Sequence, residues 1–311
     1  MRAASPGPLP RRLRRPTLLI VGCGDVGLRL IRILRSAHSA RLRVIATARR
    51  GDQLEAIRTA GGIPLACNLD DRQSVRRLAG LGRWVVHLAP PPNEGGDDPR
   101  TRRLAAACAR SALRTSQGTG VTRWAYVSTT GVYGDRQGAW IDETSAPAPV
   151  NARAKRRIAA EGELRRFGRA TGARVSLLRA PGIYAQDRLP HERLRQGLPA
   201  LREEEDVFTN HIHADELARA CWLALWRGGG GRAYNICDDT QLKMGDYFDV
   251  VADALQLPRP PRLTREALTA RVSPMMLSFM SESRRLHNRR MKHELRMTLR
   301  VADVHDLLAL L

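Results

Sequence analysis

The apolar run Leu18-Leu19-Ile20-Val21 leads directly into Gly22-Cys23-Gly24-Asp25-Val26-Gly27, and Val26, Leu30, Ile33 and Leu34 then fall on one face of an amphipathic stretch. This is strand, tight turn, helix, with Gly-x-Gly-x-x-Gly at the turn. Such a turn constrains the chain strongly. The first glycine permits the bend, the second lets a pyrophosphate approach the backbone, and the third lets helix and strand pack closely. The helix N-terminus then offers unpaired N–H groups and a positive dipole end to phosphates. Gly22, Cys23, Gly24, Asp25, Val26 and Gly27 are therefore expected to bind a dinucleotide.

Beyond the turn, short β-rich runs alternate with helical stretches. Strands are expected at 17–21, 42–47, 62–67, 83–89, 122–128 and 174–180, with helices near 25–37, 52–60, 71–80, 100–116 and 151–171. That rhythm predicts an α/β fold, a doubly wound parallel Rossmann sheet covered on both faces. After Ala180 the pattern changes. A helix at 214–227, a strand at 232–237 and a helix at 243–256 precede the stiff connector Pro258-Arg259-Pro260-Pro261. The last fifty residues read as helical, with Ser273-Pro274 at a helix start. The expected organisation is a basic disordered tail over 1–16, a dinucleotide-binding domain over 17–180, and a smaller α/β substrate domain over 181–311. Residues of about 205–240 are the part of the latter that can pack back on the sheet.

All but three of the 52 basic residues are arginine, and the net charge is +21. Arginines scattered over solvated faces account for this better than a nucleic-acid partner does, although residues 1–50 hold twelve arginines and one acid. The five cysteines are scattered and never in Cys-x-x-Cys spacing, as expected of reduced thiols in a cytoplasmic protein. No apolar run is long enough to span a bilayer, and no secretory signal is visible. His211 and His213 lack a third neighbouring ligand, so no metal site is expected. Trp222 and Trp226, at i and i+4, read as core. Assembly is expected to be monomer or homodimer.

The end of the second strand reads Thr47-Ala48-Arg49-Arg50, with no carboxylate before Asp52. An acid there binds the ribose 2′-hydroxyl of NAD, whereas arginine accommodates a 2′-phosphate. Arg49 and Arg50 thus predict NADP, with NAD the alternative.

Several segments resemble the extended short-chain dehydrogenase/reductases, the superfamily of nucleotide-sugar epimerases and dehydratases. They are the glycine turn, Val85-Val86-His87-Leu88-Ala89, Ser128-Thr129-Thr130-Gly131-Val132-Tyr133-Gly134-Asp135, Asp142-Glu143-Thr144, Arg179-Ala180-Pro181-Gly182-Ile183-Tyr184, His211-Ile212-His213-Ala214-Asp215, Tyr234-Asn235-Ile236 and Asn288-Arg289-Arg290-Met291-Lys292-His293-Glu294-Leu295. The resemblance runs in order from about residue 17 to 297. It implies that Leu88, Ala89 and Pro90 line the cofactor, that Asn68 and Leu69 meet adenine, and that Pro181 and Ile183 border the nicotinamide. Thr129 takes the slot of the family's catalytic Ser or Thr.

One element departs from the family. Its proton donor is a tyrosine four residues before a lysine, and the corresponding helix here carries no tyrosine. If Glu161 marks the register, Arg157 stands in the lysine slot and Arg153 in the tyrosine slot; alternatively Lys155 is the lysine and Asn151 replaces tyrosine. Neither arginine nor asparagine titrates at neutral pH. Arg153 can still bind an anion or polarise a carbonyl, and Tyr184, with Arg188 four residues on, is a candidate replacement donor, as are the carboxyls of Asp142 and Glu143. The pattern is similar to an atypical bacterial subgroup lacking the tyrosine. The resemblance implies an NAD(P)-dependent oxidoreductase or epimerase-like enzyme using Thr129, Arg153, Arg157 and Tyr184 on an anionic or sugar-like small molecule. A catalytically silent NADP-binding sensor or scaffold is the rival reading.

Overall fold

The computed structural model describes residues 16–38, 42–114, 120–272, 276–277 and 280–310. The expected basic tail, up to residue 15, and the Ser273-Pro274 helix start lie outside the described residues. Strand β1 is Thr17–Val21, β2 Arg43–Ala48, β3 Ile63–Ala66, β4 Trp84–His87, β5 Arg123–Thr129, β6 Trp140–Ile141, β7 Arg174–Ala180, β8 Gly182–Tyr184, β9 Ala200–Leu201, β10 His211–His213 and β11 Arg232–Asn235. Seven of these form one sheet in the order β11-β7-β5-β4-β1-β2-β3, every pair parallel. The order reverses between β1 and β4. A crevice opens at the carboxyl ends of the strands on either side of such a switch point, where ligands of this fold class bind.

The first strand shows why both faces are covered. Leu18 and Ile20 point into one hydrophobic cluster and Leu19 and Val21 into another, all of them buried. Alternate side chains of a strand face opposite sides, so an all-apolar strand must be roofed twice. Helices α1 (Asp25–His38) and, from late in the chain, Ala214–Arg227 pack together on the first face. On the second lie Pro99–Arg114, hereafter α4, and Ala152–Thr171, α5; α2 (Gly51–Thr59) and α3 (Arg72–Arg76) complete the early crossovers. Trp222 and Trp226 pack against the first cluster, with Trp226 at 4.5 Å from Trp84, ring centre to ring centre.

Two expectations change. The helix expected over 71–80 ends at Arg76, because the N–H groups of Arg77, Leu78 and Ala79 turn to carbonyls three residues back, a tightening that cannot propagate far. Among the described residues the last fifty hold only short helices, and Arg285–Leu286 instead forms a parallel pair with β6. Tertiary pairing overrides local helical preference there. A separate apolar cluster from Tyr184 to Leu307, including Met280, forms beyond the sheet.

Burial sets a pH dependence. The His87 ring is 1% exposed at the end of β4, and desolvation, then the nearby Arg157 charge, lowers its pKa to about 3. A histidine whose folded pKa lies below its unfolded value contributes stability fully present above the unfolded value near 6.5 and lost as pH falls toward 3. His87→Phe is therefore expected to flatten the fall in unfolding free energy on acidification by about 1.4 kcal/mol per pH unit between pH 5.5 and 4. Urea unfolding at several pH values checks this. Parallel profiles for variant and parent would refute it.

Candidate functional site

The crevice at the switch point holds a cavity of about 260 Å3. The glycine turn forms its floor. Gly22 has φ +78°, and a Cβ on it would lie 2.6 Å from Ala89 Cα, so the turn can close against the end of β4 only with glycine there. A Cβ on Gly24 would meet nothing within 4 Å, which is the open space a diphosphate requires. Beside it, the first-turn N–H groups of α1 have no acceptor within the helix. The Gly22 N–H donates to Thr47 Oγ1 at 3.0 Å and the Cys23 N–H to the Thr47 carbonyl at 2.8 Å. Thr47, buried at the end of β2, thus holds the turn in shape.

Of the residues expected at the cofactor, Gly22, Cys23, Gly24, Arg49, Asn68, Leu69, Ala89 and Pro90 line this cavity. Arg50 does not. Its guanidinium makes a two-pronged pair with Asp52 at 3.0 and 2.8 Å, exposed to solvent. Gly27 packs beneath the turn, where a Cβ would lie 2.8 Å from Cys23 Sγ and 3.2 Å from Leu88. Val26 and Leu88 pack against the core, and Asp25 pairs with Arg29 at 2.8 Å and Arg188 at 3.0 Å, so these three support the turn rather than line the cavity. Ile183 also packs against the core, and neither it nor Pro181 lines the cavity. Asn68 Oδ1 accepts the Asp70 N–H at 3.1 Å, folding the segment after β3 into a tight turn.

Sequence reasoning passed over Thr47, Gln53, Cys67 and Arg100 in the lining. Arg100 holds the rim: it grips Asp70 at 2.9 and 2.6 Å and donates to the Pro90 carbonyl at 3.2 Å. Arginine against carboxylate in this forked geometry lowers the Asp70 pKa. A polar residue ending an apolar strand was the available signal for Thr47. For Arg100, thirty residues from Asp70, no local signal exists.

On the α5 side, the residues of the two registers open in the sequence fall in different surroundings. Glu161 is fully buried, accepts the Ser128 hydroxyl at 2.7 Å and takes Arg179 on both oxygens at 3.1 and 2.8 Å. Four residues earlier, Arg157 donates to the Val127 carbonyl at 2.8 Å and to the Tyr126 hydroxyl at 3.0 Å, against β5. Arg153, one turn before, is exposed at its end, and desolvation and the Arg157 charge lower its pKa. Asn151 instead caps α5, accepting the Ala154 N–H at 2.8 Å, and Lys155 is exposed. Arg157 thus lies against β5, whereas Asn151 serves as the cap of α5. Thr129, ending β5, accepts the Gly131 N–H on its hydroxyl oxygen at 3.2 Å.

Tyr184 stands apart from this group. Its ring is 1% exposed, edge-on to His211 and His213, and burial beside Asp238 pushes its pKa up. Packed in the separate apolar cluster beyond the sheet, with its hydroxyl buried, Tyr184 does not line the switch-point cavity. Asp142 and Glu143 are also engaged: Asp142 accepts the Thr144 N–H at 2.8 Å, and Glu143 accepts the Asn235 N–H at 2.8 Å. His211 stacks on Tyr247 at 4.2 Å, and burial lowers its pKa to about 4. Among the described residues no helix is long and apolar enough to cross a membrane.

This geometry agrees with comparisons to known proteins. The chain is similar to the GDP-6-deoxy-D-mannose reductase of Pseudomonas aeruginosa, 28% identical over 192 residues, which are 56% of this chain and 63% of that protein's length. The match thus spans less than two thirds of the relative. Among solved structures it is similar to a conserved protein of unknown function from Silicibacter pomeroyi, with 30% identity and a TM-score of 0.78 over 94% of this chain and 97% of that one. It also shares the fold of a UDP-glucose 4-epimerase from Thermotoga maritima, with 18% identity and a TM-score of 0.76 over 94% and 96% of the two chains. A family profile described as NAD dependent epimerase/dehydratase matches residues 18–237, from β1 through the glycine turn to the end of β11. With the switch-point cavity and its glycine floor, that match places the chain in the NAD dependent epimerase/dehydratase family, a branch of the extended short-chain dehydrogenase/reductases.

Proposed function

We propose that the protein is an NADP-preferring oxidoreductase or epimerase-like enzyme acting on an anionic, sugar-nucleotide-like small molecule. The observation that carries this reading is Arg49 in the cavity lining, with Gln53 also there and no carboxylate in the lining among the described residues. A 2′-phosphate there gains a charge-assisted partner, whereas a bare 2′-hydroxyl finds no acidic acceptor. The glycine turn holds the diphosphate, Asn68 and Leu69 the adenine, and Ala89 and Pro90 the segment between. NADPH is expected to bind more tightly than NADH. Arg49→Ala should weaken NADPH by at least about tenfold and leave NADH unchanged, while Arg50→Ala should change neither. Titration calorimetry decides; equal affinities for the two nucleotides in parent and Arg49→Ala proteins would defeat the preference.

Held by the glycine turn, a bound nicotinamide dinucleotide would supply hydride chemistry at a carbinol or carbonyl carbon of the substrate. The Thr129 oxygen already accepts a backbone N–H, so its own proton is available to a substrate oxygen. Arg153 polarises that oxygen or holds a substrate phosphate, with Arg157 fixed against β5 beneath it. Neither arginine titrates, so the proton passes through water. The curated relative's action on a GDP-linked sugar supports the substrate class. The absence of a phenol from α5 favours the second reading, a silent NADP-binding sensor. NADPH consumption with GDP- and UDP-linked keto-sugars, lost in Arg153→Ala while NADPH affinity persists, supports the enzyme. Absence of turnover across that panel with NADPH bound supports the sensor.

A further inference from the structure

A second cavity, of about 440 Å3, lies between α3 and α4. Arg72 and Arg76 from α3 and Arg102, Arg103 and Arg110 from α4 line it, around an apolar floor that includes Val75 and Ala106. Some arginines elsewhere are neutralised, as Arg29, Arg179 and Arg262 are by carboxylates at 2.7–2.8 Å. In this cleft guanidinium groups converge from two helices and outnumber the carboxylates. Asp97 pairs with Arg102 at 2.8 Å, and Asp70 lies 3.9 Å from Arg103. Among the described residues, Arg72, Arg76 and Arg110 make no ion pair, so five guanidinium groups face two carboxylates.

Like charges gathered in a cleft repel one another, and an apolar floor reduces the screening between them. An anion that enters is correspondingly favoured, and the guanidinium fork suits phosphate oxygens in particular. Residues 102 to 110 span roughly 12 Å along α4, a length for two or three linked phosphates rather than one. No aromatic side chain lines the cleft, so it offers no platform for stacking bases.

We infer that the cleft between α3 and α4 is a binding site for a compact, multiply charged phosphate ligand such as a condensed phosphate or phosphate ester, separate from the cofactor cavity. The two cavities lie on either side of the turn at Leu69 and Asp70. Leu69 lines the cofactor cavity, and Arg103 donates to its carbonyl from the α4 side at 3.3 Å. Neither the site nor its ligand class depends on the proposed NADP preference or on turnover.

The test uses the full chain and inorganic tripolyphosphate at low salt, with and without saturating NADPH. Binding is expected in both conditions. The double variant Arg76→Gln/Arg110→Gln, altered only at exposed positions, should bind tripolyphosphate about tenfold more weakly, with an unchanged melting temperature and unchanged NADPH affinity. A single-stranded oligonucleotide of matched charge should bind more weakly than tripolyphosphate. Equal tripolyphosphate affinity in parent and variant overturns the proposal, as does complete displacement by NADPH, which would place the phosphates on the glycine turn. Preference for the oligonucleotide, lost in the variant, also overturns the compact ligand and assigns the cleft to nucleic acid. If NADPH itself fails to bind, the first titration still decides the cleft, and only the cofactor reading falls.

Discussion

Glu161→Ala is expected to cost the fold about 3–5 kcal/mol, the loss typical when one partner of a buried ion pair is removed. Glu161 is fully buried and Arg179 almost so. Without the carboxylate, Arg179 keeps its charge in a place water does not reach, and its remaining neighbour, the Tyr133 ring at 4.8 Å, compensates only weakly. Ser128 also loses its acceptor. Urea unfolding measures the effect as a lower midpoint at constant slope. Glu161→Leu combined with Arg179→Met should recover most of the loss, because the cost lies in the stranded charge rather than in missing attraction. A Glu161→Ala midpoint equal to the parent's would show that the pair is not buried in solution. The same contact orients α5 so that Arg157 meets β5, and the substitution should therefore impair the site as well as the fold.

Gly22→Ala should abolish dinucleotide binding and destabilise the protein, whereas Gly24→Ala should only weaken binding. At Gly22 a side chain pays twice: the positive φ costs about 1–3 kcal/mol for a non-glycine residue, and the Cβ would overlap Ala89 backbone atoms at 2.6–2.7 Å. Those atoms belong to the end of β4, anchored by the Leu88 and Ala89 N–H groups on the Val21 carbonyl, and cannot move aside cheaply. At Gly24 the added methyl enters empty space inside the cavity, so the fold is untouched and the diphosphate is obstructed. Thermal melts with NADPH titrations separate the two effects. An undiminished NADPH affinity in folded Gly24→Ala would mean that the diphosphate lies elsewhere.

What was legible in the sequence was local. The alternation of apolar runs and amphipathic stretches specified strands and crossover helices, since a strand apolar on both faces requires helices on each. The glycine turn was equally plain, because a turn of this type constrains its own few residues. Arg49 and Arg50 show where local reading stopped. Adjacent in sequence, they were indistinguishable until the backbone put one into the cavity and turned the other onto Asp52.

Other features depended on long-range packing. In α5, Glu161 meets Ser128 and Arg179 from strands 33 residues before and 18 after it, contacts that no local reading supplies. Tyr184 had a donor's chemistry and Arg188 four residues on, and only the tertiary structure put its ring into the separate apolar cluster beyond the sheet. Helical preference near the C-terminus yielded to pairing with β6, nearly 150 residues earlier. Sequence alone determined the parallel α/β fold and its dinucleotide turn, because both rest on periodicity and backbone conformation over a few neighbouring residues. Tertiary structure decided which charged side chains line the cavity, which are buried in pairs and which gather unpaired between α3 and α4, because charge depends on distance and solvent exposure, and distant segments supply both.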